Sequence, residues 1–92
     1  MSLNQTLHSL SDPTRRKILE LLQKRDMAVR DIANNFDMKL PSVSHHLNVL
    51  KQANLVSFQR KGQELIYSLN LSVFEEVIKY LIKITKTTRR KT

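Results

Sequence analysis

The residues of this chain best suited to chemistry lie in the segment LPSVSHHLNVLKQANLV, Leu40 to Val56: two adjacent histidines, His45 and His46, with Ser42 and Ser44 beside them. An imidazole can hold a metal ion, pass a proton, or hydrogen-bond to a partner's polar edge. Metal binding by this pair fits poorly. Helical ligands face one ion when they stand three or four residues apart, whereas neighbours diverge. The third histidine, His8, stands alone with no acidic cluster near it in sequence. Ser44 and His45 fail as a nucleophile–base pair for the same reason. The expectation is therefore no metal, no cofactor and no catalytic set.

The third use, contact with a partner, depends on where the two rings point. With Pro41 to Ala53 as a helix at 100° per residue, Val43, Leu47 and Leu50 form a narrow core-facing stripe. His46 falls within that stripe and is expected to be a half-buried, hydrogen-bonded core histidine. His45 lies about 200° from Val43, on the outer side, with Ser44, Asn48 and Gln52 flanking it and Ser42 at one edge. Serine, histidine and asparagine side chains near a helix N-terminus can bond both base edges and phosphates.

The elements around this helix give it a context. SDPTRRKILELLQKR carries helix-start signals, with Ser11 or Asp12 as cap and Pro13 in the first turn, followed by the stripe Ile18, Leu19, Leu21 and Leu22. Leu3, Leu7 and Leu10 predict a short preceding helix. MAVRDIANNF predicts an amphipathic helix of about two turns through Val29, Ile32, Ala33 and Phe36. After Asp37 to Leu40 comes the histidine helix. Leu55 to Phe58 and Leu65 to Leu69 then read as strands around the polar turn QRKGQE, where Gly62 is the only glycine. LSVFEEVIKYLIKITKTTRRKT closes the chain as a helix with Ser72 as cap and a basic, frayed tail from about residue 86. The fold class is mostly α with one β-hairpin, in the order α-α-α-α-β-β-α. Two short helices with a hairpin directly after them have the layout of a winged helix-turn-helix.

Composition narrows the partner. Ninety-two residues make one small domain, taken as residues 1–92. There are 16 Lys plus Arg against 8 Asp plus Glu, a net charge of +8, which attracts a polyanion. The chain has no cysteine, which excludes disulfides and thiolate metal sites and fits a reducing, cytoplasmic location. No apolar run is long enough to predict membrane insertion. An RNA binder with an aromatic stacking platform is disfavoured, because the five aromatics (two Tyr, three Phe) fall mostly at strand or core-like positions.

The motifs LSDPTRRKILELL, SVSHHLNVLKQANLV and RKGQELIYSLN, in that order over roughly Leu7 to Asn70, resemble the ArsR family of small winged-helix bacterial repressors. The resemblance implies a homodimer that binds double-stranded DNA at an inverted-repeat operator and blocks transcription. A closer likeness within the family, to an autoregulating member, implies repression of its own operon and leaves open a sequestering protein partner. Many family members release DNA on binding metal. The family's Cys-Val-Cys segment corresponds here to Ala28-Val29-Arg30, and its carboxylate–histidine site on the last helix meets only Glu75 and Glu76. The metal response is therefore not carried over. Lys39 and Leu40 stand where many relatives have Ser and Gln, so base preference is not carried over either.

On this reading, Leu40, Ser42, Ser44, His45 and Asn48 of the recognition helix face DNA, with Arg60, Lys61 and Gln63 of the wing. Arg15, Arg16, Arg30 and Lys39 are candidate backbone contacts. The last helix is apolar over more than one face, and a second copy would cover the excess. Leu3 and Leu7 of the first helix and Val73, Phe74, Val77, Ile78, Leu81 and Ile84 of the last are the expected dimer contacts. The competing readings are an inducible sensor with an atypical ligand site, and an antitoxin-like dimer that holds a protein partner through its last helix.

Overall fold

The computed structural model of the chain describes residues 2–86. The elements run α1 (Leu3–Leu10), α2 (Pro13–Lys24), β1 (Met27–Ala28), α3 (Val29–Ala33), α4 (Leu40–Gln52), β2 (Val56–Lys61), β3 (Glu64–Leu69) and α5 (Leu71–Thr85). From residue 87 on, the basic tail read from the sequence lies outside the described residues.

Of the two caps offered before α2, Asp12 is the one used: its side chain accepts from the Arg15 amide at 3.1 Å, and Pro13 follows in the first turn. In α1 the leucines do not supply the fully buried face. Thr6 and Ser9 are buried instead, and their hydroxyls donate to the Ser2 and Gln5 carbonyls one turn back. Self-satisfied hydroxyls can be buried cheaply, and that leaves Leu7 half exposed.

MAVRDIANNF departs from the expected two-turn helix. Met27 and Ala28 are a strand paired antiparallel with β3, Met27 opposite Tyr67 and Ala28 opposite Ile66. The sheet is therefore three-stranded, in the order β1-β3-β2. Strand pairing takes the first residues of the segment, so α3 is only five residues long and Phe36 packs on the core from the bend after it.

Helix α4 ends in a Schellman motif. The Leu55 amide donates to the Leu50 carbonyl at 3.0 Å and the Asn54 amide to the Lys51 carbonyl at 2.9 Å, with Asn54 in the left-handed region at φ 62°. Leu50 and Leu55, both fully buried, make the hydrophobic contact of that motif. The hairpin turns through two residues, Gly62 and Gln63; positive φ at Gly62 alone matches a type II′ turn. Helix α5 is capped by Asn70, not Ser72: Asn70 Oδ1 accepts from the Ser72 amide and Nδ2 donates to the Asn54 carbonyl at 2.9 Å. Asn70 therefore ties the start of α5 to the end of α4. The core lies where α2, α3, α4 and the sheet meet, around Ile18, Leu22, Ile32, Val43, Leu47 and Leu55.

Candidate nucleic-acid interface

Helix α4 buries Val43, Leu47 and Leu50 and leaves Ser42, His45 and Asn48 exposed, with Ser44 half-buried. The polar side chains are therefore held outward by an apolar stripe that cannot rotate away from the core. Lys39 is the N-cap residue but makes no side-chain cap bond; Pro41 has no amide N–H, and the Ser42 amide donates to the Lys39 carbonyl at 3.0 Å. Leu40, the first residue of the helix, is 53% exposed. Together, Leu40, Ser42, Ser44, His45 and Asn48 form one continuous patch at the N-terminal half of α4.

The hairpin stands beside this patch and is pinned to the C-terminal end of the same helix. Lys51 of α4 places its ammonium 4.6 Å from the Phe58 ring centroid, and Phe58 packs on Tyr67 at 5.4 Å. Burial raises the Tyr67 phenol above its ordinary pKa. Strand alternation puts Val56, Phe58 and Arg60 on one face and Ser57, Gln59 and Lys61 on the other. Arg60 thus shares the face that packs toward α4. Lys61 is on the opposite face, opposite Glu64, and Gln63 is at the exposed tip. Between the hairpin and the start of α4 lies a cleft of about 490 Å³, walled by Val29, Ala33, Leu40 and Leu65.

The four backbone-contact candidates divide. Lys39 is exposed at the start of α4. Arg30 is exposed but ion-paired with Glu64, which bridges α3 to the wing. Arg16 is exposed, with its guanidinium on the Leu10 carbonyl at 2.7 Å. Arg15 is a correction. It is 6% exposed, and three of its five N–H donors are taken by the His8 and Ser9 carbonyls and by His46, so the guanidinium is turned into the protein and away from any phosphate.

His46 is half-buried, as its position on the stripe required, with Nδ1 3.1 Å from Arg15 Nη1 and 3.9 Å from Asp12 Oδ2. Its pKa is lowered from the usual histidine value, first by burial and then by the charges of Arg15 and His45; Asp12 works the other way. Asp12 is lowered too. Burial opposes this, but amide bonds from Arg15 and Thr14 and the charges of His46 and Arg15 outweigh it.

The expected dimer face also divides. Val73 and Val77 are buried within the monomer, and Phe74 packs against the core. Val73 and Val77, at 7% and 9% exposed, are corrected to intramolecular contacts, because almost none of either side chain is left for a second copy; Phe74 is only partly buried. Leu7, Ile78, Leu81 and Ile84 are each more than half exposed, and Leu3 is partly so. Among the described residues no three His, Cys, Asp or Glu side chains are placed to hold a metal ion, and no helix is long and apolar enough to cross a membrane.

Three features were not read from the sequence: the burial of Arg15, the Lys51–Phe58 contact and the Asn54–Asn70 tie. The first had a signal. Arg15 stands three, four and seven residues before Ile18, Leu19 and Leu22, and so shares their buried stripe. Asn directly after a helix pattern is likewise a left-handed cap signal.

Comparison with known proteins agrees with this arrangement. Residues 12–57 match the family described as "Bacterial regulatory protein, arsR family". The transcriptional repressor SdpR of Bacillus subtilis (strain 168) is 50% identical over 80 residues, covering 87% of this chain and 89% of that protein. The crystal structure of an ArsR family transcriptional regulator superposes with a TM-score of 0.89 at 28% identity, covering 98% of this chain and 93% of that one. A homodimeric winged helix-turn-helix domain from Mycobacterium bovis, solved by NMR, shares the fold with a TM-score of 0.72 at 24% identity, covering 98% and 87% of the two chains.

Proposed function

This chain belongs to the ArsR family of bacterial regulatory proteins, and from that premise we propose that it is a sequence-specific repressor, a homodimer that binds an inverted-repeat operator in the cytoplasm and controls its own operon. The observation that carries the reading is the outward patch of α4, Ser42, Ser44, His45 and Asn48, set beside a basic hairpin on a chain of net charge +8. Those side chains can donate to and accept from base edges in a major groove, while Lys39 and Arg60 meet phosphates without reading sequence. Homodimer formation is supported by the uncovered apolar stripe of α5 and by the homodimeric relative of the same fold. Two recognition helices related by a two-fold axis call for half-sites about 10 base pairs apart, centre to centre. The segment Ala28-Val29-Arg30 offers no thiolate, so release by the family's usual metal route is not part of the proposal.

The test measures binding to the DNA upstream of the chain's own gene and to random duplex at two salt concentrations, with zinc and then with EDTA. The expected result is a strong preference for its own upstream DNA that neither zinc nor EDTA changes. Ser44→Ala and His45→Ala should each cut that preference by about 1–3 kcal/mol while the dimer persists. Equal, salt-labile binding to both DNAs would leave only the charge argument standing. A loss of preference on adding zinc would restore a metal response.

A further inference from the structure

Arg15 is the only charged side chain buried among the described residues. Its Nε donates to the Ser9 carbonyl at 2.8 Å and its Nη2 to the His8 carbonyl at 3.0 Å, both at the C-terminal end of α1. Helix-end carbonyls lack partners within their own helix and favour a cation. The third branch, Nη1, reaches His46 Nδ1 at 3.1 Å on the inner face of α4. One side chain from α2 therefore joins the last turn of the first helix to the recognition helix.

The chemistry of the pair fixes its protonation. A guanidinium stays charged and has donors only. His46 Nδ1 must then be the acceptor, which makes the ring neutral with its proton on Nε2. A proton on Nδ1 would set one N–H against another.

We propose that Arg15 and His46 are positioning residues for DNA recognition, a clamp that holds α4 against α1 only while His46 is neutral, so that operator selection weakens in acid. The proposal rests on the repressor reading above. Helix α1 carries Leu3 and Leu7 toward the second copy, and α4 carries Ser44, His45 and Asn48 toward DNA. The clamp thus lies on the path by which the dimer sets the angle and spacing of its two recognition helices.

The ring has a second partner within reach. Asp12 Oδ2, from the cap of α2, is 3.9 Å from Nδ1 and would move in to accept a hydrogen bond from the protonated ring. The groups facing the ring are Asp12, which favours protonation, and Arg15 and His45, which oppose it; the His45 and His46 ring centroids are 5.6 Å apart. Helix α1 gives the guanidinium its two backbone carbonyls. Protonation therefore exchanges a bond to Arg15 for one to Asp12. It frees the guanidinium from α4 and draws the Asp12 carboxylate away from the Arg15 amide it caps.

The test compares affinity for the chain's own upstream DNA with affinity for random duplex, from about pH 8 to about pH 5, as a ratio that cancels general charge effects. The wild-type ratio should fall in acid, by up to about tenfold for each unit separating the clamped and free pKa values. His46→Asn keeps an acceptor oxygen near the Nδ1 position without titrating, and should hold the ratio flat. His46→Leu should be poor at both ends, and Arg15→Lys, which lacks the planar fork, should lower the ratio throughout. His45→Ala should start lower and still fall in acid. A flat wild-type ratio with operator preference intact overturns the clamp, as does a His46→Asn variant that titrates like wild type. Absence of preference at every pH overturns the repressor reading instead. The ring tautomer gives a check free of variants that misfold: two-bond ¹H–¹⁵N spectra should show His46 protonated at Nε2 near neutrality, and an Nδ1–H form would refute the proposal.

Discussion

His46 takes up a proton less readily in the folded chain than in the unfolded one, because burial and the nearby Arg15 charge outweigh Asp12. As pH falls, the unfolded state is therefore protonated first, and stability falls with it. The neutral ring's contribution is complete above its ordinary pKa of 6.5 and is lost as pH drops from there through the lowered folded value. Asp12 acts with the same sign in a separate window, below its ordinary 3.8. Urea unfolding followed by circular dichroism should give a lower midpoint at about pH 5.5 than at about pH 7.5, and His46→Asn should shrink that difference. Arg15→Ala leaves the Ser9 carbonyl and His46 Nδ1 without their donor, while the His8 carbonyl keeps Ser11, and should cost about 2–4 kcal/mol in the same assay. A loss under about 0.5 kcal/mol, as for a plain surface site, would mean the guanidinium is not held there. At this scale the sequence separated the two histidines correctly, since the stripe of Val43, Leu47 and Leu50 decides which ring turns inward. Arg15 is not placed by its charge, which suits a surface; its spacing from Ile18, Leu19 and Leu22 is what puts it on the buried stripe.

The elements hold the recognition patch through two backbone conformations that most residues resist. Gly62 sits at φ 62° with nothing within 4 Å of an added Cβ, so Gly62→Ala should cost about 1 kcal/mol from conformation alone. Asn54, also at φ 62°, tolerates the left-handed region far better than a β-branched residue does. Asn54→Gly should be nearly neutral and Asn54→Val should lose about 1–2 kcal/mol by urea unfolding; equal effects would mean the motif is not strained. The helices and the hairpin were legible because each has a period and punctuation: Pro13, Pro41 and Gly62 all stand where expected. Strand β1 was not, since two residues have no period and their pairing with Tyr67 and Ile66 is a long-range event. The α5 cap was misread for a similar reason. Ser72 and Asn70 are both good cap types, and only the reach of Asn70 to the Asn54 carbonyl separates them. Alternation also refines the wing. Arg60→Ala should flatten the salt dependence of DNA binding by about one slope unit and Lys61→Ala by less, because the two side chains leave opposite faces.

For the whole molecule, the extents of 56 × 25 × 22 Å and the radius of gyration of 15.6 Å exceed the roughly 12 Å of a compact chain of this length. The uncovered leucines and isoleucines on α5 of this elongated chain are what the proposed second copy would cover. Paired Ile78→Glu and Leu81→Glu substitutions should give a monomer by sedimentation and remove preference for operator over random DNA; a dimer that survived both would place the interface elsewhere. From sequence, the excess width of the α5 stripe called for a cover but could not show how much of it the chain itself supplies. Val73 and Val77 are buried within the chain itself, and Ile78, Leu81 and Ile84 are left for the proposed second copy. On the proposed homodimer, this division makes folding and assembly one equilibrium. The outer half of α5 gains its packing only when two chains meet, so the melting temperature should rise with protein concentration by mass action. The population able to bind an operator then grows more steeply than the amount of chain made. On the proposed autoregulatory reading, repression would be weak while the chain is scarce and sharp once past a threshold of expression.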